Sequence, residues 1–175
     1  MGEEKALIAV EGRPLVLRVA ERLGRIADPV VLAPGQPGRL GDLAHLEVAD
    51  EAPTSGPLGG LCAGLAASPH PLMAAVAVDM PFVSWEVFAL LAGAHRGEDA
   101  VVAVTERGLE PLHAVYAKAA LSTMREALAG GRLALRGVLA ELRVRTVPEV
   151  DWRRADPSGR FALNLNRAED MALLG

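Results

Sequence analysis

Cysteine is almost absent from this 175-residue chain: Cys62 stands alone, which excludes an internal disulfide framework and a cysteine-built zinc cage. A chain with no disulfide to keep is expected in a reducing compartment, the cytoplasm. Lysine is nearly missing as well, with only Lys5 and Lys118, and asparagine is confined to Asn164 and Asn166. Arginine, alanine, leucine, glycine and proline take their places, a skew that fits coding bias and thermal selection against labile amides. Against that background a lysine or an asparagine is less apt to be filler. No apolar run reaches the roughly 18 residues of a membrane span. The start, Met1-Gly2-Glu3-Glu4-Lys5, is acidic where a secretory signal would be basic. A net charge of −4 gives no electrostatic basis for a nucleic-acid groove or a membrane-binding patch. Neither a P-loop nor a G-x-G-x-x-G dinucleotide fingerprint is present.

What is there is apolar and regular. Hydrophobic residues make up 51% of the chain, which excludes disorder over most of its length, and 175 residues fit one domain, 1–175. Ala6 to Val10 reads as a short strand or packed lead-in, interrupted by Glu11-Gly12. Leu15, Val16, Val19, Ala20 and Leu23 then recur at helical spacing, predicting a helix over 13–24 with Pro14 in its first turn. A brief strand at 30–32, a weak helix at 39–44 and a strand at 46–49 follow. Residues 58–68 are small and apolar, and 73–78 read as a fully buried strand. Ser84 is placed to cap a helix over 84–94. Strands at 100–104, 112–116 and 144–147 alternate with helices at 119–129 and 135–142. A polar loop at 151–159, a strand over 161–166 and a last helix close the chain. Alternation of this kind implies a three-layer α/β sandwich around a mostly parallel sheet, with no linker and no repeat.

Few residues in this pattern carry chemistry. Asp79 ends a buried strand, the place where open α/β sheets bind ligands. Its carboxylate there suits Mg²⁺, which takes oxygen ligands and keeps waters and substrate phosphates; capping the next helix or bonding turn amides is the equal alternative. Asp50 follows a strand in the same manner, before a Gly/Pro loop that suits a base, a ribose or a plain turn. Lys5, among glutamates near the terminus, reads by composition as a solvated end. Asn164 and Asn166 alternate on the last strand and so share a face, to bind ligand or to satisfy edge backbone. His45, His70, His95 and His113 lack ligand spacing, Cys62 reads as buried filler, and Arg153-Arg154 as a solvated pair.

Taken in order, Met1-Gly2-Glu3-Glu4-Lys5-Ala6-Leu7, Gly12-Arg13-Pro14-Leu15, Gly56-Pro57-Leu58-Gly59-Gly60, Val78-Asp79-Met80-Pro81-Phe82, Glu110-Pro111-Leu112 and Asn164-Leu165-Asn166-Arg167-Ala168-Glu169-Asp170 resemble the strings RMGxDKAL, GxPL, GPLAG, CDMPFL, QPL and NxNTPEDL of the molybdenum cofactor guanylyltransferases. The resemblance spans essentially the whole chain. It implies a Rossmann-like nucleotidyltransferase fold and transfer of GMP from GTP to molybdopterin or the molybdenum cofactor, releasing pyrophosphate. It further implies that Asp79 holds Mg²⁺, that Lys5 contacts the nucleotide phosphates, that Asp50 binds the nucleotide, and that Asn164 and Asn166 lie near the acceptor. Transient contact with molybdoenzyme-maturation proteins is a further implication.

The chain departs from the family strings in three places. Glu4 stands where Asp precedes the lysine, Ala33 where some members carry Asn, and Met1-Gly2 falls on the MG that a first strand and a glycine-rich loop precede. That third departure carries the expectation of a start further upstream and of two unpaired edges inside the sheet. The rival readings are a cytidylyl- or sugar-phosphate nucleotidyltransferase of the same fold, and a non-catalytic remnant that binds cofactor or a partner.

Overall fold

The computed structural model describes residues 4–36, 38–43, 45–52 and 55–165. A 3-10 turn at Lys5–Leu7 leads into a tight hairpin of β1 (Ala9–Val10) and β2 (Arg13–Pro14). Both turn residues have positive φ, Glu11 at 49° and Gly12 at 77°, the conformation that two-residue hairpins need. Pairing of Arg13-Pro14 with β1 delays the first helix, so α1 runs Leu15–Leu23 and not from residue 13.

β3 (Val31–Gly35) pairs in parallel with β4 (Leu46–Ala49). The helix expected at 39–44 is replaced by turns over 38–40, with Gly38 at φ 75° and Gly41 at φ 73°. α2 (Gly56–Ala67) then crosses to β5 (Leu72–Val76), and α3 (Trp85–Ala94) follows, its first turn capped by Ser84, whose Oγ accepts from the Val87 amide. β6 (Ala100–Thr105), β7 (Gly108–Ala117), α4 (Leu121–Ala129), α5 (Leu135–Leu139) and β8 (Val144–Val147) complete the larger sheet, ordered β5-β7-β6-β8. β7 runs antiparallel to both of its neighbours while β8 is parallel to β6, so the sheet is mixed.

The polar stretch expected as a loop at 151–159 is largely helical. α6 (Glu149–Ala155) carries Glu149 and Asp151 in its first turn and Arg153 and Arg154 in its last, charges that match the helix dipole. The buried Trp152 fastens it to the sheet by donating from Nε1 to the Val104 carbonyl at 2.8 Å. The strand expected over 161–166 is a 3-10 turn at Arg160–Ala162 followed by unpaired chain to 165. Asn166 and the last helix lie outside the described residues.

Alternation along β6 and β7 makes the layers. Ala100, Val102, Ala114 and Tyr116 pack against α2, α4 and α5, while Val101, Ala103 and Val115 pack against α3 and α6. No described strand, however, lies between β3 and β5 to join them, and the two sheets stay separate. A groove of about 1300 Å³ lies there, walled by β3, β5 and the apolar sides of α1 and α2. Two sheet edges therefore face one another across a largely apolar space, and the strand expected to be fully buried over 73–78 is instead β5, half-buried along that space with only Ala75 buried.

Candidate active site

Three distant segments meet beyond the end of β5. After Val76 the chain turns, with Met80 N–H bonded to the Ala77 carbonyl at 3.0 Å, and this turn presents Asp79. The Asp79 carbonyl accepts from the Leu165 amide at 2.7 Å, which pins the 163–165 segment over the turn. Lys5 closes the group. Its Nζ donates to the Leu165 carbonyl and stands 3.8 Å from Asp79 Oδ2, with both side chains about one-third exposed (34% and 28%). Lys5 is thus no frayed end but a cation held next to the strand-end carboxylate. Beside it, Asn164 Oδ1 is buried with no protein hydrogen bond, an acceptor left free for another partner.

Asp50 is built into a different wall. Its amide donates to the Gly35 carbonyl at 3.1 Å, and Ser55 Oγ donates to Asp50 Oδ2 at 3.2 Å. Asp50 Oδ1 is buried and has no protein hydrogen bond. Glycines give the carboxylate its room: a Cβ on Gly59 would lie 1.8 Å from Ser55 Oγ and 3.0 Å from Asp50 Oδ2, and one on Gly60 3.6 Å from Asp50 Oδ1. Asp50, Ala33 and Gly60 line the groove, as do Glu4 and Val78, the chain neighbours of Lys5 and Asp79. Asp50 and the Lys5–Asp79 pair therefore flank one cleft without touching.

Sequence reasoning missed Arg39, which also lines the groove. It bonds the Pro34 carbonyl at 3.1 Å and pairs with Glu4 at 2.9 Å, so the glutamate in place of the family's aspartate is tied to the loop after β3. Nothing in the sequence singles out one arginine in so arginine-rich a chain. Ala33 sets only a methyl against α2, where a Cβ on Gly60 would sit 3.3 Å away.

The residues set aside stay outside this cluster. Burial, then the Glu51 charge, pushes the Cys62 thiol up to about 11, consistent with inert packing. His45, His70 and His95 bond backbone carbonyls of Leu43, Asp28 and Glu98. His113 is fully buried between Phe88 and Phe161. Arg153 and Arg154 pair with Glu149 and Asp151 on their own helix. Among the described residues no three His, Cys, Asp or Glu side chains gather as a metal cage, and no helix is long and apolar enough to cross a membrane. A lone carboxylate suits Mg²⁺, which is commonly held by one or two carboxylates together with substrate phosphates.

The chain is 35% identical to a probable molybdenum cofactor guanylyltransferase of Methanosarcina acetivorans, over 96% of this chain and 80% of that protein. It is 32% identical to the molybdenum cofactor guanylyltransferase of Desulfosudis oleivorans, over 97% of this chain and 85% of that one. The crystal structure of molybdopterin-guanine dinucleotide biosynthesis protein A from Archaeoglobus fulgidus superposes with a TM-score of 0.84 at 25% identity, covering 99% of this chain and 89% of that one. The 2-C-methyl-D-erythritol 4-phosphate cytidylyltransferase of Thermus thermophilus shares the fold, with a TM-score of 0.68 at 20% identity, over 97% and 91% of the two chains. The mixed sheet and its helices are thus a nucleotidyltransferase α/β fold. With the MobA-like NTP transferase domain matching residues 1–147, the chain belongs to that family of nucleotidyltransferases.

Proposed function

We propose that the protein transfers GMP from GTP to molybdopterin or the molybdenum cofactor, forming the guanine dinucleotide cofactor and pyrophosphate. The convergence of Lys5, Asp79 and the 164–165 segment at the end of β5 carries this reading. A terminal phosphate oxygen of the acceptor attacks the α-phosphorus of GTP, a new P–O bond forms, and the bond to the β-phosphate oxygen breaks as pyrophosphate leaves. Such a reaction asks the protein for alignment and charge neutralisation, with no covalent intermediate. Lys5 supplies a positive charge at the phosphates, exchanging its bond to the Leu165 carbonyl for phosphate oxygens. Asp79 would hold Mg²⁺, which neutralises phosphate charge when bound. Asp50, with one oxygen unpaired in its glycine-lined niche, accepts from the nucleotide, and Asn164 from the acceptor.

The names of the similar proteins support guanylyl over cytidylyl transfer; the likeness to the cytidylyltransferase is one of fold alone. Incubation with molybdopterin, Mg²⁺ and each nucleoside triphosphate in turn tests the assignment through pyrophosphate release. Turnover with GTP is expected, and turnover with CTP but not GTP would overturn it. The open groove between the two sheets favours a second reading, binding of cofactor or a partner without turnover. GTP binding with no pyrophosphate release from any triphosphate is the result that reading requires.

A further inference from the structure

Arg39 shares the lining of the groove with Gly35, Asp50 and Gly60. It stands in the turns after β3, and its guanidinium is fixed from two sides. Nε and Nη2 lie 3.0 and 2.9 Å from Glu4 Oε2, and Nη1 donates to the Pro34 carbonyl at 3.1 Å. A guanidinium carries five N–H donors. These contacts engage three of them, so Nη1 and Nη2 each keep one N–H for another acceptor.

Nη1 is also the nitrogen that approaches Asp50. A Cβ on Gly35 would lie 3.8 Å from Arg39 Nη1 and 3.8 Å from Asp50 Oδ2, so the two charged groups stand less than twice that distance apart. Gly35, at φ 88°, puts no side chain between them. They make no ion pair with each other: Arg39 pairs with Glu4, and Asp50 Oδ2 takes the Ser55 hydroxyl while Oδ1 stays buried and unpartnered. A positioned donor and a free acceptor thus border one gap.

The group that suits such a gap offers an acceptor and a donor side by side. A phosphate offers acceptors alone and meets the Asp50 carboxylate as a like charge. A lactam edge, a ring carbonyl next to a ring N–H, offers both. Hydrogen bonds of about 2.9 Å from the two atoms of that edge put their protein partners about 5–6 Å apart, inside the limit set at Gly35.

We propose that Arg39 and Asp50 together read the base of the nucleotide, Arg39 Nη1 donating to O6 of guanine while Asp50 accepts from the adjacent N1–H. The inference rests on the reading of the protein as a GTP-using transferase. Arg39 then selects a base with a lactam edge over adenine and cytosine, in which the exocyclic group donates and the neighbouring ring nitrogen accepts. Glu4 and the Pro34 carbonyl hold the guanidinium ready for that contact.

The test is calorimetric binding of GTP, inosine triphosphate and 2-aminopurine riboside triphosphate to the full chain with Mg²⁺ and no acceptor, for the unaltered protein and for Arg39→Gln. Inosine keeps the lactam edge without the 2-amino group. 2-Aminopurine keeps the ribose, the phosphates and the 2-amino group but has no carbonyl at C6. Arg39→Gln is expected to weaken binding of GTP and inosine triphosphate about tenfold each, the scale of one lost charge-assisted hydrogen bond. It is expected to leave 2-aminopurine riboside triphosphate, bound more weakly by the unaltered chain, as it was. The Arg39 side chain is 56% exposed, so the melting temperature of the variant is expected to stay nearly unchanged. Equal losses for all three triphosphates would put Arg39 at the ribose or the phosphates and overturn the proposal, as would no loss at all. Either result, with GTP still bound by the unaltered protein, leaves the functional reading standing. A chain that binds none of the three overturns that reading and the proposal with it.

Discussion

His113 offers a test of the core that does not depend on the reaction. It lies on β7, fully buried, with Phe88 stacked at 4.9 Å and Phe161 edge-on at 4.7 Å. Neither ring nitrogen has a hydrogen-bond partner. Burial, only partly opposed by the charge of Asp156, lowers its pKa from 6.5 to about 3, so the native ring is neutral where an unfolded one begins to protonate. Stability from this group is therefore present above pH 6.5 and lost as pH falls from there towards 3. The slope approaches about 1.4 kcal/mol per pH unit, and the full span amounts to roughly 5 kcal/mol, comparable with a small domain's entire stability. Carboxylates held low by arginine partners, such as Glu98 at about 2 beside Arg145, lose their contribution only below about pH 4.5. In the window from 6.5 to 4.5 the difference in slope between the unaltered protein and a His113 variant isolates this histidine from His45, His70 and His95. His113→Phe keeps a ring between Phe88 and Phe161, removes two unsatisfied nitrogens, and is expected to stabilise the fold by about 1–3 kcal/mol at pH 7. Urea denaturation at pH 7.5, 6.5, 5.5 and 4.5 reads both effects. An unchanged slope between pH 6.5 and 4.5 in the variant would refute the reasoning.

Two further perturbations address the site. Lys5→Ala removes the cation beside Asp79 and is expected to lower kcat about 10²- to 10³-fold, while costing only about 1 kcal/mol for the lost bond to the Leu165 carbonyl; steady-state rates and a denaturation curve separate the two. Gly59→Ala sets a Cβ 1.8 Å from Ser55 Oγ, forcing the hydroxyl off Asp50; a rise of about tenfold in KM for GTP with a smaller change in kcat is expected, and an unchanged KM would remove Asp50 from nucleotide binding.

The regular elements were largely legible because they are long and periodic. α3 with its Ser84 cap, and β8 over Val144–Val147, lie where the pattern places them. Local polarity misled at α6: a stretch rich in Asp and Arg reads as a loop, yet one buried Trp152, hydrogen-bonded across to β6, supplies the anchor that holds a short helix. Turn chemistry misled at 38–41, where two glycines with positive φ break a stretch expected as helix. Within the site, Asp79 was legible from its place after an apolar strand, although that strand is half-buried and not the fully buried one expected. Lys5 and Asn164 were not legible from composition, since only the resemblance paired them with Asp79 and only the tertiary contact through Leu165 joins all three. Arg39 was invisible because its role depends on a loop closing onto Glu4, a contact with no local signature.

The central claim, nucleotidyl transfer at the end of β5, turns on Asp79. Its backbone carbonyl fixes the Leu165 amide, and that bond survives truncation of the side chain, while the partly exposed pair with Lys5 contributes little to folding. Pyrophosphate release from GTP and molybdopterin, measured across a Mg²⁺ titration for the unaltered protein and for Asp79→Ala, tests the claim most directly. The account predicts Mg²⁺-dependent release that Asp79→Ala abolishes with its melting temperature nearly unchanged. Release by a folded Asp79→Ala protein at the full rate under saturating Mg²⁺ would contradict it.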